Sequence, residues 1–278
     1  METMRNIDIL LSTYNGERFL SEQIESILSQ TYKSWHLFIR DDGSKDKTHS
    51  IIIDYVSKYP EKITWINKDN VYNVGVIKSF EALMQVSTAP YLMFCDQDDV
   101  WLSFKVEETL KKLQEVENSI GKERPILVHT DLKVVDGELK TISESMFAIS
   151  KSTPQLIHSN INYALLCNCV TGCTVMCNSE AKKNSLPFPD FVEMHDSWVA
   201  RKVWLDGGKV ETLYKSTMLY RQHGYNVVGA SPSITLKQRW AYIKRCYNQY
   251  KQLYKKNTLI VPLAFVYYKL LFKIKNLI

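Results

Sequence analysis

The chain has 278 residues, 45% of them hydrophobic and 23% charged, which excludes a disordered chain and leaves room for one large α/β domain or a domain with an appendage. Its net charge of +5 conceals a split: residues 1–211 hold 23 Lys and Arg against all 30 Asp and Glu, whereas residues 212–278 hold 12 Lys and Arg and no acid. A tail so basic suggests a polyanionic partner, either an anionic membrane surface or nucleic acid.

Residues 7–11 are apolar except for Asp8 and read as a buried strand. The same interruption, with no longer apolar run near the start, speaks against an export signal, so a cytoplasmic location with reduced cysteines is expected. Ser12-Thr13-Tyr14-Asn15-Gly16 then turns the chain, and Phe19, Leu20, Ile24, Ile27 and Leu28 mark one face of a helix over 17–30. Strands are expected over 35–40, 62–66 and 91–95, with helices over 47–59 and 76–85 between them. A long polar helix follows Trp101 to about residue 119. Residues 126–178 read as β-rich, a helix is expected from Glu193-Met194-His195-Asp196 to residue 205, and residues 210–220 read as strand. From residue 233 the pattern is helical to the end.

Strand–helix alternation with short connections implies a parallel sheet with right-handed crossovers. Ligands bind such sheets at the carboxyl ends of the strands. Three polar loops fall there: 13–16, 41–44 and 96–99.

Asp96-Gln97-Asp98-Asp99 packs three carboxylates into four residues straight after an apolar strand. Their mutual repulsion is relieved by a cation, and Mg²⁺ or Mn²⁺ is commonly held by one or two carboxylates with water and substrate phosphate completing the shell. In an extended segment Asp96 and Asp98 share a face and Gln97 points away. In Asp41-Asp42-Gly43-Ser44-Lys45-Asp46, a strand-end carboxylate can accept the imide N–H of uracil or thymine; Gly43 permits the turn and Asp46 suits a helix cap. Asp196 stands at the start of a helix, where a carboxylate either caps or serves as a base; His195 is the next candidate base and Glu193 the third. Arg221 and His223, after a strand, could meet a diphosphate and a metal, and Gly172 allows a close backbone approach. Cys167, Cys169, Cys173 and Cys177 cluster without the paired spacing of a zinc site.

Taken in order, residues 9–16, Asp41 to Thr48, Asn73-Val74-Gly75 and Asp96-Gln97-Asp98-Asp99-Val100-Trp101 resemble the inverting family 2 glycosyltransferases of GT-A fold, over about residues 5–230. Asp96 to Trp101 with Tyr220-Arg221-Gln222-His223-Gly224 looks most like bacterial rhamnosyltransferase-type enzymes of surface polysaccharide assembly. The resemblance implies a UDP- or dTDP-sugar donor, with Thr13, Tyr14 and Glu17 near the base, Asp41 and Asp42 in nucleotide binding, and Asp96 near the ribose. It implies Asp98 and His223 as metal ligands, Asp99, Trp101, Gly172 and Arg221 about the diphosphate, donor sugar and acceptor, and Asp196 as catalytic base. The expected organisation is a catalytic domain over 1–230 and a basic, aromatic helical tail over 231–278. That tail would lie on the inner face of the cell membrane, near a glycan or lipid-linked acceptor, or join a homodimer. Two other readings are a sugar-nucleotide pyrophosphorylase, which needs a Gly-rich loop where Thr13-Tyr14-Asn15-Gly16 stands, and a non-catalytic nucleotide-sugar binder. Nucleic acid is disfavoured by the acidic sheet edge.

Overall fold

The structure is a computed structural model that describes residues 7–151, 153–223, 244, 247–248, 250–251 and 261–275; most of the expected tail, and Gly224, lie outside the described residues. The chain divides into two compact units, one from the described residues of Met1–Met146 and Val170–Arg221, the other from those of Phe147–Cys169 and Gln222–Ile278.

The first unit is built on a nine-stranded sheet. Strands β1 (Ile7–Thr13), β2 (Trp35–Asp41), β3 (Ile63–Trp65) and β4 (Tyr91–Cys95) stand in the order β3-β2-β1-β4 and run parallel, as the alternation implies. From β4 onward the sheet is mixed. β8 (Val175–Asn178) is antiparallel to β4 and to β6 (Ile126–Val135), while β9 (Lys209–Arg221) runs parallel to β6. β5 (Val100–Trp101) and β7 (Thr141–Ser143) add antiparallel edges to β9 and β6.

Alternate residues of β1 serve the two faces. Ile7, Ile9 and Leu11 join a core with Leu20, Ile24 and Ile27 of α1 (Leu20–Leu28), Ile52 of α2 (Thr48–Lys58) and Val106 of α4 (Lys105–Ile120). Opposite, Phe80 of α3 (Val76–Val86) meets Phe94 edge to face, with ring centroids 5.3 Å apart. Continuous apolar runs are what a strand covered on both faces requires.

Residues 126–178 are less β-rich than their composition suggests. Between β7 and β8 lie α5 (Met146–Ser150), α6 (Pro154–His158) and α7 (Ile161–Leu166). Pro154 opens α6, where its missing N–H is no loss, and the Asn160 side chain accepts the Asn162 N–H to cap α7. These are short-range cues that alternation counts overlook. Further on come α8 (Ser179–Ser185) and α9 (His195–Leu205), and in the second unit α10 (Val261–Lys275).

Asp8, the polar break in β1, is buried, and its Oδ2 accepts Ser87 Oγ, Thr88 N and Ala89 N at 2.9, 2.8 and 3.0 Å. It fixes the turn that feeds β4, the strand carrying the acidic cluster. Asp8→Ala strands those donors in the interior and is expected to lower stability by about 1–3 kcal/mol, read as a lower urea midpoint; an unchanged midpoint would refute this role.

Candidate active site

Register brings the expected loops together. Thr13 pairs with Asp41 across β1 and β2, and Leu11 with Cys95 across β1 and β4. The loops are then knitted by side chains. Asn15 N donates to Ser44 Oγ and Gly16 N to Thr48 Oγ1, both at 2.8 Å, while Lys45 N donates to Asn15 Oδ1 at 2.9 Å. Asp46 accepts Thr48 N at 3.0 Å and Glu17 N at 3.1 Å, and Glu17 returns the bond by accepting Lys47 N at 3.0 Å. Burial pulls the Asp46 carboxyl up, but these hydrogen bonds outweigh it and hold it below its ordinary value.

Asp41 is fully buried and accepts Ser44 N at 3.0 Å, the Ser44 hydroxyl, and His49 Nε2 at 2.6 Å. Asp42 accepts Arg40 Nη1 and Val74 N at 2.7 Å and Gly75 N at 3.0 Å. Asp42 therefore spends its carboxylate tying the 73–75 loop to the end of β2, an architectural task rather than open contact with a nucleotide. Gly43 turns the chain at φ 85°, and a Cβ there would lie 3.0 Å from Asn73 N. Tyr14 is exposed at the rim.

Gln97 does not stand idle. Its Oε1 accepts Thr13 Oγ1 at 2.5 Å and Tyr14 N at 2.8 Å, and its Nε2 donates to Tyr14 O at 3.1 Å. It clamps the β1 loop to the β4 loop, a pairing invisible before the two strands are neighbours.

The acidic turn is buckled by Arg221. The β5–β9 register pairs Val100 with Leu219, so two residues further Asp98 faces Arg221. Arg221 N donates to Asp99 Oδ1 at 3.2 Å, Nε to Asp98 O at 2.9 Å, Nη1 to Gly137 O at 2.7 Å, and Nη2 to the Glu22 carboxylate. The residue is only 2% exposed, and its guanidinium lies 4.5 Å above the Phe19 ring centre. Its donors are committed to protein, so the expected contact with a diphosphate gives way to positioning of the turn. Asp99 is also redirected: because β5 begins right after it, it is fully buried and does not line an open pocket. Trp101 is likewise a core residue, with the buried Lys105 ammonium 4.8 Å from its ring centre, so it does not reach a sugar. Burial drives Lys105 down to about 8.

The β4–β8 register, Met93 with Met176, carries forward to set Asp96 opposite Cys173. Ligating atoms of Asp96, Asp99 and Cys173 lie within 4.8 Å of one another. Burial, then Asp98, then Asp196 push Asp96 up to about 7. Burial, Asp98 and Asp96 raise Asp99 well above the carboxylate range, and burial raises the Cys173 thiol likewise. A protonated thiol is no ligand for a hard ion, which leaves carboxylates as donors. The group so gathered is Asp96 with Asp99, not the Asp96–Asp98 pair that an extended segment would give; Asp98, partly exposed like Asp96, is a further carboxylate of the kind Mg²⁺ or Mn²⁺ accepts, and a cation would offset the burial and charge that raise Asp96 and Asp99. His223 belongs to the other compact unit.

His195 and Asp196 open α9. The His195 ring stacks on Phe80, centroids 3.8 Å apart, and meets Phe94 edge to face at 4.8 Å. Burial takes it down to about 3, so it is a neutral wall rather than the alternative base. Asp196 accepts Ser197 N at 2.5 Å and a hydrogen bond from the Gly172 amide, yet burial prevails and lifts it to about 6. Glu193 is exposed. A Cβ on Gly172 would come within 2.9 Å of His195 Nε2, so this glycine's close approach is to the histidine.

Residues 8–149 match the model of "Glycosyl transferase family 2", more than half the chain. The chain belongs to that family and is a glycosyltransferase. It is 24% identical over 193 residues to the UDP-Glc:alpha-D-GlcNAc-diphosphoundecaprenol beta-1,3-glucosyltransferase WfgD of Escherichia coli, covering 69% of this chain and 67% of that protein. It is 33% identical over 103 residues to the dTDP-rhamnosyl transferase RfbG of Shigella flexneri, covering 36% and 35%. Its fold is that of Staphylococcus aureus TarS 1–349, crystallised with UDP, at a TM-score of 0.60 and 16% identity over 93% of this chain and 69% of that one.

Gly172→Ala must displace His195 from Phe80 or shift the backbone, and is expected to cost about 1–3 kcal/mol. A thermal midpoint equal to wild type would show that the approach is not constrained.

Proposed function

We propose that this glycosyltransferase inverts configuration at a sugar passed from a UDP- or dTDP-donor to a glycan or lipid-linked glycan during cell-surface polysaccharide assembly, with rhamnose as one candidate sugar. The observation that carries the mechanism is Asp196, a buried carboxylate lifted to about 6 beside the acidic turn. A base poised near the working pH takes a proton effectively without being protonated beforehand. The acceptor oxygen attacks the anomeric carbon, its proton passes to Asp196, and the bond from that carbon to the diphosphate oxygen breaks with its electron pair on the leaving nucleotide. Asp98 is the metal ligand, and Asp96 serves the ribose or a water on the metal. Bound Mg²⁺ or Mn²⁺ would neutralise charge developing on the diphosphate. Tyr14, exposed at the rim, receives the base, with the buried Thr13 and Asp41 behind it shaping the end of β1 and β2, while Glu17 and Asp42 hold the loops that shape its pocket.

Several features support the reading. TarS was crystallised with UDP, and WfgD and RfbG are named for a UDP-glucose donor with a diphosphoundecaprenol-linked acceptor and for dTDP-rhamnose transfer. A lipid-linked acceptor fits an enzyme that attaches peripherally to the cytoplasmic membrane face through residues 231–278. Among the described residues no helix is long and apolar enough to cross a membrane. A homodimer through the tail is the second use of that segment.

Asp196→Asn is expected to reduce transfer at least 100-fold while leaving donor binding within a few-fold, since general-base catalysis contributes about 10²–10⁴-fold. The base works deprotonated, so kcat/KM should hold above about 6 and fall roughly tenfold per pH unit below it. Wild-type rates in the variant, or an acid limb that survives the substitution unchanged, would remove Asp196 from this role.

Asp98→Asn tests the cation. Calorimetric Mn²⁺ affinity should fall on the order of tenfold or more, as removal of a first ligand costs at least what an outer partner does. In wild type, protons and metal compete for the cluster that includes Asp96, so the metal concentration for half-maximal activity should rise as pH drops through about 7. Activity indifferent to EDTA would exclude metal dependence.

A further inference from the structure

Helix α10, Val261–Lys275, has two apolar faces where a surface helix has one. The first is occupied within its own unit. Phe265 is buried, with ring centroids 5.3 Å from Tyr247 and 5.8 Å from Tyr250, and Phe272 and Tyr268 meet Tyr163 of α7 at 5.4 and 6.2 Å. The second face is exposed among the described residues: Leu263, Val266, Tyr267, Leu270 and Ile274 are 74, 55, 58, 57 and 54% exposed. Their spacing of 3, 1, 3 and 4 residues places all five within an arc of about 100° at 3.6 residues per turn. Lys273, also exposed, borders this stripe.

We infer that this stripe is the element that inserts into an anionic lipid surface, with α10 lying in the plane of the interface. The inference rests on the peripheral attachment proposed above and names the side chains that carry it. Charge decides the occupant. Residues 212–278 contain 12 Lys and Arg and no acidic residue, so a second copy of this segment would bring like charge against like charge, whereas anionic headgroups complement it. Length decides the geometry. Fifteen helical residues span about 22 Å, short of the roughly 30 Å of a bilayer core, so the helix lies on the membrane and does not cross it. Apolar insertion and lysine–headgroup attraction then act together, the pattern of interfacial helices.

The test uses the full chain and vesicles of phosphatidylcholine alone or with phosphatidylglycerol, read by co-sedimentation. Wild type is expected to bind the phosphatidylglycerol vesicles, more weakly at high salt, and to bind the neutral ones at least tenfold less. Val266→Gln with Leu270→Gln leaves charge and helix propensity nearly unchanged, and circular dichroism should match wild type. Its affinity for phosphatidylglycerol vesicles is expected to fall at least tenfold, and Lys273→Gln with Lys275→Gln should weaken binding several-fold and reduce its salt sensitivity. Wild-type binding retained in Val266→Gln with Leu270→Gln would overturn the stripe and leave attachment standing. No binding by wild type to any vesicle would overturn both, without touching the transfer reaction measured in solution. A wild-type dimer that the same double variant converts to monomers, with vesicle binding unaltered, would assign the stripe to a second copy.

Discussion

Carboxylates gathered in a poorly solvated place repel one another, and most of this molecule's site is a response to that. Burial first, then the charges of Asp98 and Asp196, lift Asp96 to about 7. Holding them there requires a counter-structure. Arg221 supplies it through backbone more than through charge: its guanidinium grips the carbonyls of Asp98 and Gly137 and the carboxylate of Glu22, and its own amide binds Asp99. A planar fork with fixed donors suits this better than a flexible ammonium. The repulsion left after this bracing favours a divalent cation, which in turn suits a ligand carrying phosphate.

The neighbouring loops follow the same logic with neutral partners. Gln97, Ser44 and Thr48 spend side-chain hydrogen bonds on the backbone of residues 14–16, so the loops at the ends of β1, β2 and β4 form one rigid rim. Rigidity matters because order present before binding is not lost on binding. Asp42 with Arg40 performs the equivalent service for residues 74–75, deeper in the sheet.

Much of this was legible in the sequence, and the parts that were not share a cause. Apolar runs and their spacing located β1, β2, β4 and α1 to α4, because those elements bury continuous or periodic faces. The carboxyl-end rule gathers Thr13, Asp41 and Asp96 at one sheet edge. The motifs by themselves suggest Arg221, Trp101 and Asp99 as open-site residues. Their burial depends on the β5–β9 ladder, a two-residue pairing with no local signature. Gln97 looked idle because alternation describes one strand, whereas its partners stand on another. His195 looked like a base because its type titrates near neutrality; the Phe80 and Phe94 rings that exclude water from it come from α3 and β4, far away in sequence. Asp96 to Asp99 were recognisable as a cluster, but the thiol of Cys173 among them follows only from the β4–β8 register.

The family match ends at residue 149, and this boundary separates two kinds of constraint. The rim from Thr13 to Asp99 lies inside it, on strands whose order and register any nucleotide-diphosphate pocket of this fold can share. Gly172, Asp196 and Arg221 lie beyond it and reach the same edge from the turn before β8, from α9 and from β9. A carboxylate at the start of a helix would ordinarily be held low by the helix dipole and by its amide bonds. Asp196 escapes because Phe80, Phe94 and His195 desolvate the helix start, and Gly172 lets the chain close over it without a side chain between. On the mechanism proposed above, changes in this second group would alter acceptor and proton handling while the rim keeps its hold on the donor. Two members of one family can for that reason share the rim and part company in what they glycosylate, and specificity is better sought in residues 170–221 than in the acidic motif itself.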